Sequence, residues 1–256
     1  MKLNDLFANL NDEDHIRPFQ SKAVQNFLDN AVTGIAYDSR KIQPGNVFVC
    51  IKGEHSDGHE YIGQAVKAKA SAIVVENTQK VPSQLLDTFP VYVAPKTYRA
   101  LALLSAKFYN YPGQSMFMVG VTGTNGKTTV THLIQEMLTQ AAGQKVGLIG
   151  TLGTLSSNTE ASQDYAKTNH TTPMALELTQ ILGQFKADNI DTVVMEVSSH
   201  ALEQDRVLGC DFDVAVLTNL TQDHLDYHKT MANYFKAKTK LFSQLLPKAN
   251  RPKIAV

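Results

Sequence analysis

The chain has 256 residues, 43% of them hydrophobic and 19% charged, a composition that fits one or two globular domains and excludes a disordered or fibrous protein. Lysine plus arginine equals aspartate plus glutamate at 24 each, so no overall field draws it to nucleic acid or to an anionic membrane, and any phosphate recognition must be local. Cys50 and Cys210 lie far apart and read as buried free thiols, as suits a reducing cytoplasm. The opening MKLNDLFANLNDED lacks a basic segment followed by a long apolar core, and no stretch approaches the roughly 20 apolar residues of a membrane span, so a cytoplasmic location is expected.

In chain order, Leu3, Leu6, Phe7 and Leu10 stand at helical spacing. Two apolar runs flanking Pro44-Gly45-Asn46 read as strands. His59 to Lys69 reads as helix, Ala72 to Val75 and Val91 to Ala94 as short buried strands, and Thr97 to Asn110 as a helix presenting Leu101, Leu104 and Phe108. This alternation predicts a small α/β domain over 1–112, closed by a Tyr111-Pro112-Gly113 linker. From 113 onwards the alternation resumes: a strand at Met116 to Val119 and a helix from Thr129 to Ala142, with Leu133, Ile134, Met137 and Leu138 on its expected buried face. A strand at Lys145 to Ile149, a polar excursion from Gly150 to Thr172 and a helix from Met174 to Ala187 follow. Strands at Thr192 to Val197 and Val214 to Leu217, a helix from Ala232 to Leu246 and the start of one more strand at 253–256 complete the chain. Short apolar strands separated by helices predict a parallel sheet, whose ligands sit at the carboxyl ends of its strands.

The chemistry centres on MFMVGVTGTNGKTTV, residues 116–130: a buried strand, a turn of small residues, and Lys-Thr-Thr opening a helix. This is the anatomy of a phosphate-binding loop. Gly123 and Gly126 would let backbone N–H groups approach an anion, Lys127 would reach the outer phosphates, and Thr128 would offer its hydroxyl to Mg²⁺. The strict nucleotide-loop pattern wants glycine where Val121 stands. Polar clusters follow the strands: GT, then HTTP, then EVSSH, then TNLTQDHLDYH. Glu196, ending a strand, is placed to hold Mg²⁺, whereas His200 is as consistent with a structural role as with a functional one. His224 and His228 stand four apart, but no third ligand is obvious and the loop already calls for magnesium rather than zinc.

VTGTNGKTT, HTTP, EVSSHALEQDR, TNLTQDHLDYH and YFKAKTKLF, in this order, resemble the Mur ligases of peptidoglycan synthesis, whose loop has the form TGTNGKT. DSRKIQPGNVFVCIKGEHSDGHEYI is similar to that family's UDP-binding domain. The resemblance implies an α/β protein with an N-terminal UDP-binding domain at 1–112 and a P-loop-type parallel-sheet ATPase domain at 113–256. It also implies that the ATPase sheet is incomplete here and that the family's third, amino-acid-binding domain is absent. The branch implied adds the third peptide residue, meso-diaminopimelate or L-lysine, to UDP-N-acetylmuramoyl-L-Ala-D-Glu through an acyl phosphate. On that reading the chain alone is expected to be weakly active or inactive. A different Mur ligase, a non-catalytic nucleotide-sugar-binding module or another phosphate-loop enzyme such as a kinase or GTPase are the alternatives, the last leaving HTTP and EVSSH unexplained.

Residue by residue, the resemblance implies that Gly123, Thr124, Asn125, Gly126, Lys127, Thr128 and Thr129 bind the ATP phosphates. It puts Thr128 and Glu196 at one Mg²⁺, His224 at a second, and a carbamylated Lys238 beside them as a metal ligand. A bare ammonium would repel Mg²⁺, whereas a carbamate reverses its charge. By sequence alone Lys238 is an ordinary helix-surface lysine that Lys236 or Lys240 could replace. Ser39, Glu54, His55 and Ser56 would contact the UDP part. Thr171, Thr172, Ser198, Gln204 and Arg206 would hold the sugar-peptide, with His170 standing where some members have Asn. Arg206 suits a phosphate or carboxylate through its planar fork, although a surface ion pair is its ordinary reading.

Overall fold

The computed structural model describes residues 1–10, 16–20, 24–53, 56–156, 170–245 and 253–256. The chain divides into two units, Met1–Phe108 and Tyr109–Val256, so the boundary falls four residues before the expected one. No helix among the described residues is long and apolar enough to cross a membrane.

The first unit holds α1 (Leu3–Phe7), β1 (Arg17–Pro18), β2 (Gly34–Ala36), β3 (Asn46–Val49), α2 (Ile62–Lys67), β4 (Ala72–Val75), α3 (Ser83–Leu86), β5 (Val91–Val93) and α4 (Thr97–Phe108). Its sheet runs in the order β1-β5-β4-β3-β2. The two strands around Pro44-Gly45-Asn46 pair in parallel, Ile35 opposite Val47, and their connection includes a 3-10 turn at Ser39–Lys41. Among the described strands of this sheet, only β1 runs antiparallel, along β5. Phe48, Cys50, Ile73 and Val75 pack with Ile62 and Ala65 of α2, while α4 covers the sheet with Leu101 and Leu104 buried.

The second unit contains β6 (Phe117–Thr122), α5 (Lys127–Ala142), β7 (Val146–Gly150), β8 (Gly153–Ser156), α6 (Ala175–Ala187), β9 (Thr192–Glu196), α7 (Ser199–Glu203), β10 (Val214–Leu217), α8 (Leu225–His228), α9 (Met231–Lys240) and β11 (Ile254–Ala255). The strand order is β11-β10-β6-β9-β7-β8, with the loop-bearing β6 inside the sheet. All neighbours are parallel except β8, which turns back on β7 with Leu148 opposite Leu155. The expected polar excursion therefore begins with an antiparallel edge strand; its middle, 157–169, lies outside the described residues.

The expected face of α5 is corrected. Val130, Ile134 and Leu138 pack against Val119, Val121, Val146, Leu148 and Val194, while Leu133 is 59% and Met137 67% exposed. Residues 130, 134 and 138 form one straight stripe, and 133 and 137 lie about 100° round from 134 and 138 on a 3.6-residue helix, beyond the width of that contact. The last helix is also shorter than expected, since α9 ends at Lys240 and continues as a π-helical turn over Leu241–Leu245.

Candidate nucleotide and donor-substrate site

The parallel sheet gathers the polar clusters at the carboxyl ends of its strands, and β6 delivers the chain into the glycine loop. Gly123 has φ 148°, and a Cβ there would lie 1.9 Å from the Thr218 hydroxyl; Gly126 has φ 82°. Both positions demand glycine. The loop then opens α5, a helix of sixteen residues whose first-turn N–H groups have no partner within the helix. The amides of Thr124 and Asn125 are committed differently: they donate to the Asn219 carbonyl (3.0 Å) and the Asn219 side-chain oxygen (3.0 Å). The anion-facing donors of the loop are therefore those that begin α5.

Two lysines converge on one carbonyl. Lys127 Nζ donates to the carbonyls of Gly123 (2.9 Å) and Thr124 (2.9 Å), and Lys238 Nζ donates to the same Gly123 oxygen (2.7 Å). Lys238 is 2% exposed and stands over the Tyr234 ring, 4.5 Å from its centroid. Burial, reinforced by the charge of Lys127 and opposed by Asp223, pushes the Lys238 amine down to about 7. Burial also lowers Lys127, against Glu196 and Asp223. Lys236 is exposed and Lys240 pairs with Glu203 at 2.7 Å, so burial separates Lys238 from the two lysines that looked equivalent in sequence. The surface-lysine reading does not hold, because residue 238 lies on the α9 face it shares with buried Tyr234.

Glu196 ends β9 almost wholly buried, at 1% exposure. Its Oε1 accepts from the Thr128 hydroxyl (3.0 Å) and the Thr151 amide (2.9 Å), and its Oε2 from the Thr151 hydroxyl (3.2 Å). Gly150 leaves the room, since a Cβ there would lie 2.3 Å from Oε1. A buried carboxylate among hydroxyls beside a phosphate loop is a hard-oxygen donor set that fits Mg²⁺. Among the described residues no three His, Cys, Asp or Glu side chains converge as a metal group. His224 is exposed at φ 51°, 3.5 Å from the Asp223 carboxylate. His228 is buried against the Ser199 hydroxyl at 2.9 Å, so the two do not act as a zinc pair. His200 packs on Tyr227 (4.3 Å between centroids) and edge-on to His224 (4.8 Å), its imidazole pushed down by burial and by the neighbouring histidines.

A second chain of contacts leads away from Glu196. The Thr151 and Thr171 hydroxyls stand 3.1 Å apart, and Thr172 donates to the Glu196 carbonyl (2.9 Å) and accepts from the Ser198 amide (3.0 Å). Arg206 is 9% exposed; its guanidinium grips the Gln204 carboxamide oxygen (2.9 and 2.6 Å) and the Thr172 carbonyl (2.9 Å). Arg206 is therefore buried rather than on the surface. His170 is largely exposed, and partial desolvation together with the positive charge of Arg206 pushes its imidazole down. Thr129 is exposed on the first turn of α5. Sequence reasoning missed Thr151, Thr218, Asn219 and Tyr234. GT after β7 and TN after β10 were the signals, since both follow strand ends.

In the first unit Ser39 begins a 3-10 turn capped by Asp38, whose carboxylate also holds Arg40 (2.9 and 2.7 Å). Ser56 is exposed and its carbonyl accepts from Gly53 (2.9 Å); Glu54 and His55 lie outside the described residues. Next to them, buried His59 donates from Nδ1 to Asp57 (2.6 Å) and accepts at Nε2 from the amides of Glu76 (3.2 Å) and Asn77 (3.4 Å). Lys80 closes on the other Asp57 oxygen.

A parallel sheet with a glycine loop, a helix start and a carboxylate on the adjacent strand end defines a phosphate-loop nucleotide-binding domain. Residues 121–256, just over half of the chain, match the Mur ligase middle domain, residues 31–109 match the Mur ligase family catalytic domain, and the chain belongs to the Mur ligase family. A relative from Geobacillus thermodenitrificans, named UDP-N-acetylmuramoyl-L-alanyl-D-glutamate--2,6-diaminopimelate ligase, is 48% identical over 227 residues, covering 88% of this chain and 44% of its own. Relatives of the same name from Syntrophomonas wolfei (44% identity, 96% of this chain, 46% of theirs) and Listeria monocytogenes (42%, 100% and 48%) agree. The chain spans about half the length of the curated relatives it matches. A solved structure of a ligase of that name superposes with a TM-score of 0.70 at 29% identity, over 84% of this chain and 42% of that one. The MurF ligase of Thermotoga maritima, solved with ADP, shares the fold at a TM-score of 0.55 and 23% identity, over 88% and 45%.

Proposed function

We propose that this chain carries the donor-substrate and phosphate-transfer part of an ATP-dependent ligase that joins 2,6-diaminopimelate to UDP-N-acetylmuramoyl-L-Ala-D-Glu, a cytoplasmic step of peptidoglycan synthesis. The observation that carries it is the convergence of Lys127 and Lys238 on the Gly123 carbonyl, beside Glu196 and Thr128. The shared name of the relatives supports diaminopimelate over L-lysine.

In this reading Gly126 to Thr129 receive the ATP phosphates with their amides, and Gly123, Thr124 and Asn125 shape the loop. Lys127 neutralises charge on the phosphoryl group while the donor carboxylate attacks it, giving ADP and an acyl phosphate. The amine then attacks the acyl carbon and phosphate leaves as the amide forms. Thr128 and Glu196 would hold one Mg²⁺, and His224 with a carbamylated Lys238 a second; these ions supply further neutralisation of the transferring phosphoryl group. Thr171, Thr172, Ser198, Gln204, Arg206 and His170 hold the sugar-peptide. In the first unit Ser39, Glu54, His55 and Ser56 hold the uridine diphosphate.

The test is trapping. Incubation with UDP-N-acetylmuramoyl-L-Ala-D-Glu, Mg-ATP and hydroxylamine should give a hydroxamate of the donor, found by mass, that Glu196→Gln and Lys127→Ala abolish. Binding of both substrates without hydroxamate would make the chain a binding module, and binding of neither would overturn the reading.

A further inference from the structure

Beyond the ends of their strands, β6 and β10 continue to run side by side. Leu217 pairs with Thr122 in the ladder, the Thr218 amide donates to the Thr122 carbonyl (3.0 Å), and the Thr124 amide donates to the Asn219 carbonyl (3.0 Å). There the backbone ladder stops and a side chain takes over. The Asn219 carboxamide accepts from the Asn125 amide (3.0 Å) and donates to the Asn125 carbonyl (3.1 Å), which also accepts from the Thr218 hydroxyl (2.6 Å).

Peptide planarity turns these contacts into directions. In a trans peptide the N–H of one residue and the C=O of the residue before it point opposite ways. Drawing the Thr124 and Asn125 amides towards Asn219 therefore turns the Gly123 and Thr124 carbonyls away from it, and these are the acceptors of Lys127 and Lys238. Holding the Asn125 carbonyl likewise turns the Gly126 amide away from Asn219, at the residue whose φ of 82° starts α5. The Asn219 side chain thus orients the Thr124 carbonyl, an acceptor of Lys127, and the first anion-facing amide, while the Asn219 main-chain carbonyl orients the Gly123 carbonyl on which both lysines meet.

We propose that Asn219 is a positioning residue, which sets the nucleotide-receiving shape of the phosphate loop before nucleotide arrives. The inference rests on the proposed reading of that loop as the ATP site. Asparagine is the side chain that fits: aspartate lacks the donor, alanine and leucine lack both groups, and glutamine is one methylene longer. Asn219 is exposed, so its carboxamide is not retained for core packing.

The experiment compares wild type, Asn219→Ala and Thr218→Val in the full chain by calorimetric titration with Mg-ATP and, separately, with UDP. Thermal midpoints and amide hydrogen exchange over residues 120–130, without and with saturating Mg-ATP, complete the set. Loss of two pre-formed hydrogen bonds lowers the fraction of competent loops, so Asn219→Ala should bind Mg-ATP about 10- to 100-fold more weakly. Thr218→Val, which removes one of the two donors to the Asn125 carbonyl, should show a smaller loss. UDP affinity should be unchanged and the thermal midpoint within about 2 °C of wild type, as for a surface substitution. Exchange over the loop should be faster in the nucleotide-free variant and return to the wild-type rate when nucleotide saturates it. Unchanged Mg-ATP affinity in Asn219→Ala would overturn the proposal, as would an affinity loss accompanied by equal losses of UDP binding and thermal stability. A wild-type chain that binds UDP but no Mg-ATP would defeat the ATP-site reading itself. In that case unchanged loop exchange in Asn219→Ala would sink the clamp as well, and faster exchange would uphold it.

Discussion

The proposed carbamylation of Lys238 predicts a reactive amine, and this can be measured without any ligase activity. Only a neutral amine adds to carbon dioxide: its lone pair forms the N–C bond and a proton leaves. An ordinary lysine, with a pKa near 10.4, is about 0.04% neutral at pH 7. With its amine at about 7, Lys238 is roughly half neutral there, a gain of about a thousandfold. The cause is physical: Lys238 is 2% exposed and donates to the same carbonyl oxygen as Lys127, so a second buried positive charge is disfavoured. In ¹³C-bicarbonate, a side-chain carbamate resonance should rise with pH through about 7 and vanish in Lys238→Met, while persisting in Lys236→Met and Lys240→Met. The α-amino group also reacts, and its resonance remains in every variant. Loss of the side-chain signal in Lys236→Met or Lys240→Met, or its absence from the wild type at pH 8, would refute the reasoning. The sign for stability runs the same way. Between about 7 and 10.4 the unfolded chain binds the proton and the folded one does not, so this lysine makes the fold gain stability as pH rises across that window.

Gly123→Ala should cost about 1–3 kcal/mol from backbone strain alone, and more from the collision with Thr218, read by urea unfolding together with loss of Mg-ATP binding. Burial alone would raise Asp57, but Lys80 and the His59 amide and ring hold its carboxyl well below the usual carboxylate range. Its contribution to the first unit is therefore present above about pH 4 and lost as pH falls below it, and acid unfolding of Asp57→Asn should be shallower there. On α5, Leu133→Lys and Met137→Lys should change stability by no more than about 0.5 kcal/mol, whereas Ile134→Ala should cost about 2 kcal/mol. Equal costs at Leu133 and Ile134 would contradict the observed face.

The sequence by itself determined the order of the main strands and helices, though not the short β1, β8, α3, α7 and α8, because apolar runs with glycine and proline boundaries are local signals. It also placed the polar clusters at strand ends, so Lys127, Thr128 and Glu196 were legible before any coordinates. What it could not carry was direction and burial. Lys236, Lys238 and Lys240 are alike as letters, and only the packing of α9 puts one of them under the phosphate loop. Leu133 and Ile134 are equally apolar, yet the orientation of α5 packs Ile134, half-buried, against the sheet and leaves Leu133 exposed. The antiparallel turn of β8 and the long-range pairing of Asn219 with Asn125 likewise depend on neighbours far along the chain. Periodicity and motif spacing report on a segment's own preferences, whereas exposure, hydrogen-bond partners and amine charge are set by what the fold brings alongside.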